Sequence, residues 1–103
     1  MYNKLVRDKI PEIIESNGEI PVVRTLDNLE YKIELERKLE EEVKEALNES
    51  GENRIEEFAD ILEVMISLAR LENKTLDDII NACDKKRKKR GGFDKKIYLS
   101  EVK

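Results

Sequence analysis

Two pairs of acids are spaced so that they could do chemistry. Glu42 and Glu45 are three residues apart, and so are Glu57 and Asp60, a step that places side chains as neighbours on one helix surface. The second pair stands inside IEEFADILEVMI, residues 55 to 66, the most apolar run of a chain in which 43% of residues are charged. A carboxylate taken out of water without a partner is strongly penalised or driven to protonate, so acids in such a run demand cations. Hard divalent cations prefer oxygen ligands, and Mg²⁺ tolerates a few carboxylates together with waters and substrate phosphates. If Glu42, Glu45, Glu57 and Asp60 converge, a divalent cation, Mg²⁺ first and Mn²⁺ as a substitute, resolves their repulsion; the alternative for the run at 40 to 42 is a solvated face paired with Arg37, Lys38 and Lys44.

The elements that must position these acids are helices. Asp27 with Glu30 forms a capping-box-like start, and Leu29, Ile33, Leu35, Leu39, Val43, Ala46 and Leu47 recur at roughly helical spacing, which predicts a helix from about Asp27 to Asn48. SGEN, residues 50 to 53, breaks it and offers Asn53 as the cap of a second helix from Arg54 to about Glu72. The short turn predicts an antiparallel hairpin, with residues 39 to 48 against residues 54 to 62 and ExxE opposite ExxD. On the second helix Ile55, Phe58, Ala59, Leu62, Met65, Ile66 and Ala69 fall on one face and read as core. Glu57 and Asp60 lie on the opposite side with Ile61, Val64 and Leu68, a second apolar face expected to meet another subunit. Glu40, Glu49, Glu52, Glu56 and Glu63 read as a solvated face.

Around the hairpin, Pro11 suits the first turn of a brief leading helix and Asn17-Gly18 its stop. Thr75 and Asp78 form a capping box for a third long helix, expected to turn Leu76, Ile79, Ile80 and Cys83 inward and to end at Gly91-Gly92. Val22-Val23 and residues 96 to 102 are candidates for a small two-stranded β element built from the chain ends. The expected fold is all-α: an antiparallel hairpin plus a third helix, a bundle completed by oligomerisation, in one domain spanning 1–103.

Composition supports this class and removes others. Aromatics are 5% of the 103 residues and Trp is absent, which suits a charge-laced helical protein better than a sandwich or barrel. Residues 30 to 63 hold thirteen acids against five bases, while residues 85 to 96 hold eight bases against Asp94 alone. The one cysteine, Cys83, has no cysteine partner, and with no His in the chain the usual base for a thiol nucleophile is missing, so Cys83 reads as a packed small residue. No apolar run has membrane-spanning length and no secretory signal opens the chain, so a cytoplasmic protein is expected.

Leu39-Glu40-Glu41-Glu42-Val43-Lys44-Glu45, followed about a dozen residues later by Glu57-Phe58-Ala59-Asp60, resembles the L-x-E-E-x-x-E and E-x-x-D pattern of the all-α nucleoside triphosphate pyrophosphohydrolases, the MazG-like and phosphoribosyl-ATP pyrophosphohydrolase-like superfamily. YNKLVRDKIPEII at the start and KKRGGFDKKIYL at the finish look like its short stand-alone branch, so the resemblance covers essentially the whole chain. It implies Mg²⁺-dependent hydrolysis of a nucleoside triphosphate, or a related nucleotide such as phosphoribosyl-ATP, to the monophosphate and pyrophosphate. By the same resemblance Glu42, Glu45, Glu57 and Asp60 are metal ligands, and Glu41 is a water activator or a support for the ligands. The tripled Glu40-Glu41-Glu42 leaves the register open by one residue; the three-residue step shared with Glu57 and Asp60 falls on Glu42 and Glu45.

Such a reaction needs positive charge on the leaving pyrophosphate, and Lys4, Arg7 and Lys9 near the start and Lys86, Lys89 and Arg90 before Gly91-Gly92 are the candidates. Phe93 and Tyr2 could stack on a base. Since one hairpin cannot enclose a nucleotide, a homodimer or homotetramer is expected. The rival reading is a non-enzymatic helical interaction protein, or a nucleic-acid-binding module using the Lys85 to Arg90 run. The acidic remainder would repel a polyanion, which disfavours nucleic acid as a partner.

Overall fold

A computed structural model describes residues 3–103 and contains four helices: α1 Ile10–Ser16, α2 Asn28–Leu47, α3 Gly51–Leu71 and α4 Leu76–Arg90. Tyr2 lies outside the described residues. Pro11 sits in the first turn of α1, and the chain leaves that helix through Asn17 and Gly18, whose φ of 85° favours a residue without a Cβ. Asp27 caps α2, its side chain accepting from the Glu30 N–H at 2.9 Å. The reciprocal half of that capping box is missing, because the Glu30 carboxylate is drawn to Arg24 at 2.9 Å instead. Thr75 and Asp78 cap α4 with both halves of the box in place.

The turn between the hairpin helices is tighter than the sequence suggests. The second helix starts at Gly51 with Ser50 at its cap position, so Asn53 is inside the helix and caps nothing. No side chain caps the start of α3, but its first turn is tied back to α2 by Arg54, whose Nε donates to the carbonyls of Ala46 at 3.0 Å and Glu49 at 2.7 Å. The Ala46 carbonyl already accepts from the Glu49 N–H at 3.3 Å, so the guanidinium adds a second donor there and links the two helices across the turn.

With only residues 48 to 50 between them, α2 and α3 run antiparallel and form the main packing of the molecule, while α4 touches α3 lightly. Leu35 and Ala46 from α2 and Val64 from α3 are buried at its centre. The expected core face of α3 is met only in its second half, where Met65, Ile66 and Ala69 are half-buried. Glu57, Asp60, Ile61, Val64 and Leu68 turn towards α2, whereas Ile55 (58% exposed), Phe58 (50%) and Leu62 (41%), read from the sequence as core, face outward. On α2 the buried stripe is Leu35, Glu42 and Ala46, and Leu29, Ile33, Val43 and Leu47 form a second, exposed stripe rotated away from it. The helices are apolar on two sides, and the sides that pack together are the ones that carry the acids.

Two further expectations fail for lack of a surface to pack on. Ile80 and Cys83 are exposed, because the weakly docked α4 covers neither. Among the described residues there is no strand: Val22 (96% exposed) and Ile97, Tyr98, Leu99 and Val102 lie in irregular, exposed segments. A lone two-stranded ribbon is marginal in water, and neither segment has a layer to bury its side chains against. The result is an open, elongated chain of 63 × 33 × 23 Å.

Candidate metal centre

The hairpin brings Glu42 of the first acid pair together with Glu57 and Asp60 across its seam. One carboxylate oxygen from each of Glu42, Glu57 and Asp60 lies within 4.8 Å of the other two, close enough to share one cation. Glu42 comes from the buried stripe of α2 and is itself only 7% exposed; Glu57 and Asp60 come from successive turns of α3 and are half-buried. Glu45, one turn beyond Glu42, is exposed and remains outside this trio, but its charge and hydrogen-bonding reach Glu57.

Lys38 and Arg7 attend the cluster. Lys38 reaches Glu42 Oε1 at 3.5 Å along α2, and Arg7 from the lead-in segment places Nη2 2.7 Å from Asp60 Oδ1. These do not satisfy it. Glu42 Oε2 and Glu57 Oε2 are both buried without a hydrogen-bond donor. Two carboxylates have no proton to offer each other, so the arrangement holds only if a proton or a cation comes between them. The Glu57 carboxyl is accordingly pushed up to about 7, first by the hydrogen bond its proton makes with Glu42, then by burial, then by the charge of Glu45. An all-oxygen set with unmet negative charge in a partly desolvated seam fits a hard divalent cation such as Mg²⁺.

The other predicted site residues are scattered. Glu41 is exposed on α2, between Lys38 and Glu45 on the helix surface. Arg7 joins the acids, whereas Lys4 and Lys9 are exposed residues of the same lead-in, Lys9 standing at the start of α1. Lys86 and Arg90 line a groove on α4 with Arg87, Cys83, the Gly91-Gly92 backbone and Phe93; none of the four acids lines it. Lys89 is exposed and outside that groove, and Phe93 is 98% exposed. Two partnerships escaped the sequence reading. Arg54 at the hairpin turn carries no spacing signal, and nothing local links Arg7 to Asp60, 53 residues away.

Comparison with known proteins adds little that is functional. No family model matches the chain, and no solved structure matches it. An uncharacterized protein of Mycolicibacterium smegmatis (strain ATCC 700084 / mc(2)155) is 55% identical to it over 42 residues, which are 41% of this chain and 43% of that protein. The chain thus spans less than half the length of the curated relative it matches. No helix among the described residues is long and apolar enough to cross a membrane.

Proposed function

We propose that the chain is a Mg²⁺-dependent nucleotide pyrophosphohydrolase, cleaving a nucleoside triphosphate or a related nucleotide to the monophosphate and pyrophosphate. The observation that carries this reading is the meeting of Glu42, Glu57 and Asp60 within 4.8 Å, with oxygens of Glu42 and Glu57 buried and lacking a donor. The resemblance of the E-E-x-x-E and E-x-x-D spacing to that superfamily supplies the reaction class.

In this reading Glu42, Glu57 and Asp60 hold the cation, and Glu45 completes the set from the rim. Bound there, Mg²⁺ would supply positive charge for phosphate oxygens and for acidifying a water. Glu41, exposed and outside the trio, takes the proton of the water that attacks the α-phosphorus, as the bond to the bridging oxygen of the leaving pyrophosphate breaks. Arg7 is the cation nearest the acids, and its fork is suited to phosphate oxygens. Lys86 and Arg90 lie in a different groove of the same chain, so they serve this site only if supplied by a neighbouring copy.

A neighbouring copy also answers a packing problem. The chain exposes 9628 Å², against about 6000 Å² for a compact monomer of 12.1 kDa. Its radius of gyration is 18.0 Å, against about 13 Å for a compact chain of this length. The outward stripe of Ile55, Phe58 and Leu62 on α3, with Leu29, Ile33, Val43 and Leu47 on α2, is a surface for a second copy, giving a homodimer or homotetramer. The activity is tested by incubating the chain with Mg²⁺ and a panel of nucleoside triphosphates and phosphoribosyl-ATP and measuring pyrophosphate. Turnover abolished by Asp60→Ala is expected; no turnover on any nucleotide sinks the reading.

A further inference from the structure

The contact between Arg7 and Asp60 spans 53 residues of sequence. Arg24–Glu30, Arg37–Glu34, Lys38–Glu42 and Arg87–Asp84 join residues close in sequence, whereas Arg7–Asp60 joins the lead-in to the centre of the hairpin. Leu5 and Val6 beside Arg7 are half-buried, so the segment is seated and not trailing. Arg7 ends on one of the three acids whose oxygens could share a cation.

Two positive groups cannot both be well served by Asp60. A divalent ion among Glu42, Glu57 and Asp60 would stand beside the Arg7 guanidinium, which like charge repels. Lys38 lies along α2 with a side chain only 24% exposed, but the Arg7 side chain is 54% exposed, and an ion pair of that exposure is weak. Arg7 is thus the counter-ion that can leave. Its five donors and fork geometry suit a phosphate as well as a carboxylate.

We propose that Arg7 is an exchangeable counter-ion: it neutralises Asp60 in the metal-free chain and moves to a phosphate oxygen of the substrate once Asp60 is committed to a divalent cation. The inference rests on the proposed metal-dependent function and assigns to Arg7 a part that static phosphate binding does not include. Without metal it offsets the charge of Asp60, and with metal it makes nucleotide binding depend on the cation already being present.

The test is calorimetric titration of the full-length, metal-free chain with Mn²⁺ at pH 8, then of the Mn²⁺-loaded chain with inorganic pyrophosphate, comparing wild type, Arg7→Gln, Arg7→Lys and Arg24→Gln. Arg7→Gln is expected to bind Mn²⁺ about twofold to fivefold more tightly than wild type, the range for loss of an exposed competing ion pair, and pyrophosphate about tenfold more weakly. Arg24→Gln removes the same charge far from the acids and should change neither. If Arg7→Gln loses its helical circular dichroism, Arg7→Lys carries the test, with near wild-type Mn²⁺ affinity and weakened pyrophosphate binding. Mn²⁺ affinity of Arg7→Gln equal to or below wild type, or unaltered pyrophosphate affinity, overturns the exchange while leaving the metal centre standing. Absence of Mn²⁺ uptake by wild type removes the metal centre itself and the exchange with it.

Discussion

Glu42 on α2 and Glu57 on α3 face one another across the hairpin seam, each with its Oε2 buried and without a donor. The pair is acceptable as two carboxylates only when something positive joins it, and a proton on Glu57 is the simplest such thing in metal-free protein. The Glu57 carboxyl is therefore raised from its ordinary 4.5 to about 7 by the hydrogen bond with Glu42, burial and Glu45, and the stability of the fold must depend on pH. Between those two values the folded chain holds a proton that the unfolded chain has released, so stability falls as pH rises from about 4.5 to about 7 and levels off above it. Denaturant melts of metal-free protein from pH 4.5 to 8 should show this decline, and Glu57→Gln should flatten it. A slope unchanged by Glu57→Gln would place the proton elsewhere.

Divalent cation should reverse that pH dependence. The ion needs Glu57 deprotonated, so Mg²⁺ affinity is expected to rise through about pH 7 and to release a proton on binding below it. At a concentration one hundred times the dissociation constant the ion would stabilise the fold by about 2.7 kcal/mol, a Tm increase of roughly 10 °C or more for a chain of this size. Glu42→Gln and Asp60→Asn should each remove most of that increase, because both supply oxygens to the trio. A thermal shift that persists undiminished in both variants would locate the ion outside the seam.

The hairpin turn rests on Arg54. Its guanidinium donates to the carbonyls of Ala46, near the end of α2, and Glu49, in the turn, and Ala46 is buried. Arg54→Ala should destabilise the chain by about 1 to 2 kcal/mol, since a hydrogen bond from a charged donor is worth more than a neutral one. Equilibrium urea unfolding reads this directly. The Thr75→Ala variant, which removes a capping box at the weakly docked α4, should cost about 1 kcal/mol of α4 stability, with little effect on the hairpin.

How far the sequence carries depends on whether a feature is local. Asp27, Thr75 with Asp78, Pro11 and Gly91 are chain-neighbour signals, and they mark the helices within a residue or two of where the structure has them. The acids were legible in part for the same reason: a three-residue step and a short turn suffice to place Glu42 near Glu57 and Asp60, whereas Glu45, expected with them, is exposed outside the trio. The choice of face on α3 was not legible. Both sides are apolar, and periodicity cannot say that Ile61, Val64 and Leu68 pack in the seam while Phe58 and Leu62 face out. The two β-branched segments, around Val22 and Ile97, have strand composition but no neighbouring layer, and composition alone cannot supply one. The pairing of Arg7 with Asp60 depends on how the lead-in crosses the hairpin, which no local pattern encodes.

The outward face of α3 makes a prediction about association. Ile55, Phe58 and Leu62 recur at three- and four-residue steps, the spacing that lines up one stripe along a helix, and all are exposed on the side away from α2. A stripe of this kind in a chain that exposes far more area than a compact monomer should be covered by a second copy, with a stable interface burying at least about 1200 Å² in total. Sedimentation equilibrium should therefore return a multiple of the 12.1 kDa chain mass. Phe58→Glu and Leu62→Lys, which put charge on the stripe and replace neither a member of the trio nor Arg54, should shift the population towards single chains while retaining helical circular dichroism. Combining the two in one mixture should partly restore association, because opposite charges would then face each other across the interface. Wild-type protein that sediments as a single chain at every concentration would leave the stripe to another partner.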